Sequence, residues 1–439
     1  MDINQLYQLY QQHPQVTTDS RDCPKGSIFI ALKGASFDGN KFAKSALEKG
    51  CSYAIVDEQE YADPADSRII LVDDCLLTFK QLAREHRRQF NIPVIGITGT
   101  NGKTTTKELV SAVLAEKYNV MHTEGNFNND VGVPKTLLRL SPEHEIAVVE
   151  MGASHPGDIK KLVEYLEPTC GLITNVGRAH LQGFGSFEGV MNTKGELYDF
   201  LKAHNGLVFL NTSNEHLVSM SQQRNLDRII SYGHDDQAEV QGRVTAATPF
   251  IEIEWWRGSE EHATGNISQI RTHLIGAYNL DNVLAAVSVG LYFGLTPAQI
   301  NHALENYVPT NNRSELVQTK DNVLIVDAYN ANPTSMAAAL DSFVHISLPQ
   351  PKMAILGDMR ELGEVSAEEH QKIVDTLKAD HLTDVWLVGE EFMKTHCDYN
   401  KFKDVAAVKE AIARNKPQGK CILIKGSNGT RLFELPALL

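Results

Sequence analysis

The sequence predicts an α/β protein of three domains, and three observations carry that prediction. Apolar, β-like runs alternate with helical stretches along nearly the whole chain, the pattern of mostly parallel sheets covered by helices. A glycine-rich turn, Gly99-Thr100-Asn101-Gly102-Lys103-Thr104-Thr105, follows one such run and opens a helix. The length of 439 residues exceeds what one ordinary hydrophobic core organises.

The first domain is expected over residues 1–85. Its short runs Ser27–Leu32, Tyr53–Val56 and Ile69–Val72 lie between helical and glycine-containing stretches, which reads as a small α/β unit. The second is expected over 86–309. It opens with the strand Pro93–Thr98, the glycine turn, and a helix from Thr104 to Lys117. Strands at Ile146–Glu150, Gly171–Asn175 and Leu207–Asn211 follow. From 238 to 275, Val, Thr, Ile and Trp alternate with polar residues, the period of an antiparallel insert. Asn279–Phe293 then reads as an Ala-rich, apolar helix. The third domain, 310–439, repeats the alternation with strands at Val323–Asp327, Met353–Leu356, Val385–Val388 and Cys421–Lys425, a second doubly wound, Rossmann-like unit. No internal sequence repeat links the domains.

Composition narrows the function classes. Hydrophobic content of 42% and charged content of 22% are globular values. A formal charge of −14 argues against a nucleic-acid or membrane-surface binder, which would need a basic face. An anionic substrate stays possible, because local Lys, Arg and magnesium can reverse the field within one cleft. The six cysteines, at 23, 51, 75, 170, 397 and 421, form no CxxC pair and read as small buried hydrophobes in a reducing compartment. The start, MDINQLYQLYQQHPQV, lacks the basic and apolar regions of a secretory signal. No run of about 20 apolar residues exists to insert in a membrane. A cytoplasmic location is expected.

The glycine turn carries the chemistry. Glycines let backbone N–H groups close on phosphate oxygens, and a helix N-terminus adds a favourable dipole. Lys103 can reach the β- and γ-phosphates of ATP, and the Thr104 hydroxyl can ligate magnesium. The spacing departs from GxxxxGK[ST]: the first glycine would fall at Ile97, with Gly96 one residue early and Gly99 two late. Glu150 ends an apolar strand, where the carboxyl ends of parallel strands face the ligand crevice, so it can hold the same magnesium. His180, in Asn175-Val176-Gly177-Arg178-Ala179-His180, lies just past another strand end. Taken alone it reads as a loop or core histidine; beside Glu150 it becomes a candidate ligand for a second metal. Imidazole is an unusual magnesium ligand, since that ion prefers oxygen. Lys194, in a helical stretch, reads by itself as a solvated lysine.

The glycine turn, the strand-end Glu150, and His180 followed by Lys194-Gly195-Glu196 occur in that order in the Mur ligase family. The chain resembles that family over nearly its full length. Further matching segments are Gly125–Pro134, Asp327–Met336, Leu356–Gly363 and Lys425–Asn428, with Asp19-Ser20-Arg21, Ala31–Gly34 and Asp38-Gly39 near the start. The Asp-Asn-Pro-Arg motif usual in the sister enzyme that adds the third peptide residue is absent. The resemblance implies an amide ligase that joins D-alanyl-D-alanine to UDP-N-acetylmuramoyl-tripeptide through an acyl phosphate, forming ADP and phosphate. It implies an N-terminal domain for the UDP-sugar peptide, a central one for ATP and a C-terminal ligase domain.

By the same resemblance, Lys103 binds ATP phosphates within the loop Gly99 to Thr105. Thr104 and Glu150 hold one Mg2+ and His180 helps hold a second. Lys194 matches the lysine that becomes a carbamate. Asn279 and Asn282 match the adenine-side helix start, and Arg313 and Asp327 match residues reaching the γ-phosphate and ribose. Substrate contacts are expected at Ser20, Arg21, Asn126, Asn128 and Asn129. Asn330 and Asn332 are expected on the dipeptide side, unless they only form the turn at Asn-Pro. Two positions depart from the family pattern: Tyr278 stands where members often have His, and Asn312 where some relatives have it. A monomer is expected. Two other readings stay open: another amide ligase of the family, and a switch that hydrolyses ATP without ligation.

Overall fold

The computed structural model describes residues 2–34, 36–258, 267–309 and 313–439. Asn312 lies outside the described residues. The chain divides into two compact units. The first comprises the chain up to Gly96 with Met121–Met151 and Lys161–Pro168; the second comprises Ile97–Val120, Gly152–Lys160 and Thr169–Leu439.

The first unit is built on a parallel four-stranded sheet in the order Val16–Thr17, Ile28–Ile30, Tyr53–Val56, Ile69–Leu71. Its two central strands are apolar, and all their residues except the half-buried Tyr53 are buried, as strands covered on both faces must be. The helix Ile3–Gln12 starts at a capping box in which Asp2 and Gln5 satisfy each other's backbone N–H groups. The helix Cys75–Arg87 begins at an Asp74 cap and buries Phe79, Leu82 and His86. Arg87 is buried as well, but its guanidinium donates to the carbonyls of Phe90, Leu166 and Glu167, so the charge keeps hydrogen-bonded partners. The strand Ile146–Glu150 also belongs here, with Ala147 N–H on Pro93 O and Thr123 N–H on Val148 O.

The second unit carries two sheets. The first runs Cys170–Ile173, Leu207–Asn211, Ile229–Gly233, Val240–Ala247, Phe250–Arg257, Ser268–Ile275. The pairings are parallel up to Val240–Ala247 and antiparallel beyond it, so the alternating segment from 238 to 275 does form the expected antiparallel insert. Thr98, last residue of the strand Val94–Thr98, accepts the Thr174 N–H at 2.9 Å. The helix Lys103–Ala115 leaves that strand and packs on the helix Leu280–Tyr292. The two approach so closely that a Cβ on Gly290 would lie 2.6 Å from Val113.

The second sheet of this unit runs Glu315–Gln318, Val323–Asp327, Cys421–Lys425, Lys352–Gly357, Val385–Val388, Asn400–Phe402. All its pairings are parallel except the first. Asp327 and Lys425 end neighbouring strands in direct register, at the carboxyl edge where such sheets bind ligands. Among the described residues no helix is long and apolar enough to cross a membrane. All six cysteines are free, and Cys51, Cys75, Cys170 and Cys421 are buried.

Candidate active site

The glycine turn is held by the strand-end loop beside it. Thr100 N–H donates to Asn175 O at 2.9 Å, Asn101 N–H to Asn175 Oδ1 at 3.0 Å, and Gly177 N–H to Thr100 Oγ1 at 3.0 Å. Thr174 Oγ1 donates to Asn101 O at 2.6 Å. The predicted strand Gly171–Asn175 therefore stops at Ile173, because Thr174 and Asn175 turn to hold the loop. Gly99 has φ +145° and Gly102 has φ +78°, both in the region that favours glycine. A Cβ on Gly99 would lie 2.0 Å from Thr174 Oγ1, and one on Gly102 would lie 2.6 Å from Asn282 Oδ1. Lys103 folds back over the turn and donates to Gly99 O and Thr100 O, both at 2.9 Å. Thr104 is buried in the first turn of its helix, and Thr105 is half-buried.

Asn279 and Asn282 support this loop from the next helix. Thr106 Oγ1 donates to Asn282 Oδ1 at 2.9 Å, Asn282 Nδ2 to Asn279 Oδ1 at 2.8 Å, and Asn279 Nδ2 to Ile275 O at 2.8 Å. Both side chains are buried, so their amides serve the scaffold of the phosphate turn. Tyr278, one of the departures from the family pattern, places its hydroxyl 2.8 Å from Ser314 Oγ.

His180 sits past the same loop at φ +51°, directly before the short helix Leu181–Phe184. Its Nδ1 meets the Glu361 carboxylate. The imidazole is held below its ordinary pKa first by burial and then by the positive charges of Lys103 and Lys194, with Glu361 opposing both. These influences put Lys103, His180 and Lys194 in one electrostatic neighbourhood. Lys194, on the helix Phe187–Ala203, is 2% exposed, so the sequence-based reading of a solvated lysine is wrong. Its Nζ lies 5.5 Å from the centre of the Phe184 ring. A helical period alone does not reveal which face a lysine joins, and this one is turned inward.

The loop also touches the second sheet of this unit. Asn332 Nδ2 donates to Asn101 Oδ1 at 2.7 Å, and Arg178 N–H donates to Thr334 Oγ1 at 3.2 Å. Asn332 Oδ1 caps the helix Pro333–His345 through Ser335 N–H at 2.9 Å. Asn332 thus has two structural tasks, the turn at Asn-Pro and the tie to the phosphate loop. Asn330 accepts Ala331 N–H on its side chain, and its carbonyl accepts from Lys425 Nζ at 3.3 Å. Lys425 is buried and pairs with Asp327 at 2.6 Å. Arg313 lies 3.9 Å from the centre of the Tyr329 ring, a cation–π distance. Ala179, His180, Asn330, Asn332, Arg360, Glu361, Ser427 and Asn428 surround a cavity of about 170 Å³. Arg360, Glu361, Lys425 and Asn428 carried no assigned role in the sequence reading. They stand in the segments Leu356–Gly363 and Lys425–Asn428, and that clustering was the available signal.

In the first unit Glu150 is 1% exposed and accepts from Asn128 Nδ2 at 2.7 Å, while its own N–H donates to Thr123 Oγ1 at 3.0 Å. Asn129 Oδ1 accepts Gly132 N–H at 2.8 Å, and Asn126 is exposed. Arg21 is exposed and bidentate on Asp19, at 2.9 and 2.7 Å, which holds the Asp19 carboxyl well below the usual range. Ser20 O accepts from Lys49 Nζ at 2.6 Å.

The donor set suits a magnesium ion that borrows ligands. Among the described residues no three His, Cys, Asp or Glu side chains converge on one point, so no all-protein metal cage exists. Magnesium commonly takes one or two protein oxygens and completes its shell with phosphates and water; in the second unit the Thr104 hydroxyl is an oxygen of that kind, and in the first unit, taken by itself, so is the Glu150 carboxylate. Lys194 fits only as an oxygen-bearing carbamate, not as an amine.

Comparison with known proteins places the chain among close relatives. Residues 14–87 match the description "Mur ligase family, catalytic domain", 97–290 "Mur ligase middle domain", and 312–428 "Mur ligase, glutamate ligase domain". A UDP-N-acetylmuramoyl-tripeptide–D-alanyl-D-alanine ligase of Bacillus subtilis is 33% identical, with 96% of this chain and 92% of that protein covered. The protein of the same description in Escherichia coli K12 is 32% identical, with 96% and 92% covered. The crystal structure of MurF from Acinetobacter baumannii superposes with TM-score 0.88 at 29% identity, covering 99% of this chain and 97% of that one. The MurF ligase of Thermotoga maritima in complex with ADP gives 0.85 at 26% identity, covering 97% of each.

Proposed function

The chain belongs to the Mur ligase family, and on that premise we propose that it is an ATP-dependent ligase joining D-alanyl-D-alanine to UDP-N-acetylmuramoyl-tripeptide. The product is the UDP-N-acetylmuramoyl-pentapeptide of peptidoglycan synthesis, with ADP and phosphate. One observation carries the reading beyond kinship. The phosphate loop is bonded directly, Asn101 to Asn332, to the rim of a small polar cavity containing an arginine. A nucleotide switch has no use for that second cavity; a ligase needs it for the amine substrate.

The chemistry asks the chain to bring two anions together, the tripeptide carboxylate and the γ-phosphate. Lys103 leaves the carbonyls of Gly99 and Thr100 for phosphate oxygens, and the loop N–H groups cradle the rest. Arg313, stacked on Tyr329, swings to the γ-phosphate, and Asp327 serves the ribose side. Thr104, Glu150, His180 and a carbamylated Lys194 would hold magnesium, which would supply the remaining neutralisation of charge. Phosphoryl transfer to the carboxylate gives an acyl phosphate, whose carbonyl the D-alanyl-D-alanine amine attacks, and phosphate leaves. Asn330 and Asn332 border the space for the dipeptide. Ser20, Arg21, Asn126, Asn128 and Asn129 serve the UDP-sugar peptide.

The apportionment is 1–85 for the UDP-sugar peptide, 86–309 for ATP and 310–439 for ligation. The enzyme acts as a cytoplasmic monomer without nucleic-acid partners. A phosphate-release assay with panels of tripeptides and amines tests the assignment. Turnover requires both the UDP-sugar tripeptide and D-alanyl-D-alanine; release with a free diamino acid and a shorter UDP-sugar peptide points to the sister enzyme. Release with neither substrate points to a switch.

A further inference from the structure

We propose that Glu361 is the positioning carboxylate of His180: it accepts the Nδ1 hydrogen and leaves the Nε2 lone pair as the metal-facing donor. This rests on the reading of His180 as a ligand of the magnesium site.

The contact itself is the first argument. His180 Nδ1 meets the Glu361 carboxylate although the two residues lie far apart in the chain. Glu361 makes no other ion pair among the described residues, so the imidazole is its partner. An ionised carboxylate cannot donate, so the Nδ1 atom carries the hydrogen, and in the neutral ring Nε2 is then the open nitrogen. That is the tautomer a ligand histidine needs. Metal-bound histidines usually donate their second ring N–H to a carboxylate or carbonyl, which orients the ring and raises its basicity. Added basicity matters here, because imidazole is otherwise a poor partner for magnesium.

The backbone is the second argument, and it is independent of the side chains. His180 stands at φ +51° and Glu361 at φ +62°, both non-glycine residues in the left-handed region. Such conformations persist where the surroundings over-determine them, and they cluster at functional sites. Here the two strained residues face each other. Gln182 N–H reaches Glu361 O at 3.4 Å, and Gly363, at φ +60°, fits against Gln182. Behind His180, a Cβ on Gly183 would lie 2.1 Å from Ser154 O, so that turn is pressed against a second segment. The loops are therefore pinned, and each presents its side chain to the other.

The test uses the full-length protein and the variants Glu361→Ala, Glu361→Asp and His180→Ala. The Glu361 side chain is 58% exposed, so neither substitution opens the core, and melting curves confirm folding. Long-range 1H–15N NMR of the nucleotide-free protein reads the His180 tautomer, with His180→Ala assigning its signals. Electron paramagnetic resonance titration reads Mn2+ affinity in the presence of a non-hydrolysable ATP analogue. The expected result is Nδ1–H in the native protein, a shift toward Nε2–H in Glu361→Ala, and Mn2+ binding weakened about ten-fold or more. Glu361→Asp restores part of both. An unchanged tautomer or an unchanged Mn2+ affinity in Glu361→Ala overturns the proposal. Weakened binding in His180→Ala with none in Glu361→Ala overturns the positioning role alone. No weakening in either overturns the metal assignment of His180 and the positioning role with it.

Discussion

At the scale of single residues, two positions decide whether the phosphate turn works. Gly102 combines φ +78° with a Cβ direction that ends 2.6 Å from Asn282 Oδ1. Gly102→Ala must strain the backbone and displace the amide that accepts from Thr106. We expect a loss of roughly 1–3 kcal/mol of stability, read as a lower melting temperature, with a raised KM for ATP. Lys194 is the other. Its burial beside Phe184, in the neighbourhood of Lys103 and His180, suits a carbamate that would complete an oxygen shell. Lys194→Ala is expected to lower kcat on the order of a hundredfold or more, with folding retained. Full activity in that variant, measured by phosphate release, removes the carbamate from the account. Lys194 also marks a limit of sequence reading. Its type and its helix were legible, but its inward face was not, because one lysine leaves no trace in a hydrophobic period.

At the scale of elements, six apolar strands were read to the residue. Tyr53–Val56, Ile146–Glu150, Leu207–Asn211, Val323–Asp327, Val385–Val388 and Cys421–Lys425 have the predicted bounds. Each is an apolar run bounded by polar or turn residues. Val120–His122 and Asn400–Phe402 were missed; at three residues each, they hold too few positions to show a period. The loop around His180 shows the same division. Its place after a strand end was legible, while its partners, Thr334 and Glu361, come from distant segments that sequence spacing does not relate. The helix Cys75–Arg87 carries a pH dependence of its own. His86 is buried there, with Nε2 2.9 Å from Leu140 O and Nδ1 3.1 Å from the Tyr7 hydroxyl. Burial holds its pKa below the ordinary value of 6.5. The unfolded chain therefore takes up this proton first, so the His86 contribution to stability is complete above that value. It is lost as pH falls through it. Thermal melting from pH 7 down to 5 is expected to show a falling midpoint, with a shallower fall in His86→Gln. Identical slopes in the two proteins would exclude His86 as a source.

At the scale of the whole molecule, the sequence made the α/β class and the ATP grip legible, because both rest on local pattern. The cavity beside His180 was not legible as a cavity. Its walls, from Ala179 to Asn428, are assembled from four separate segments, and only their recurrence as Asn-Pro, Leu-Gly-Asp-Met and Lys-Gly-Ser-Asn stretches hinted at a shared purpose. With the cavity in view, the phosphate loop is seen tied through Asn101 to Asn332 on the cavity rim. The central claim is that ATP activates a carboxylate by taking one of its oxygens onto phosphorus. The most direct test supplies UDP-N-acetylmuramoyl-tripeptide labelled with 18O in its terminal carboxylate, together with ATP and D-alanyl-D-alanine. The released phosphate is then analysed by mass spectrometry. The account predicts one labelled oxygen in the phosphate for each amide formed; unlabelled phosphate released alongside the pentapeptide product would contradict it.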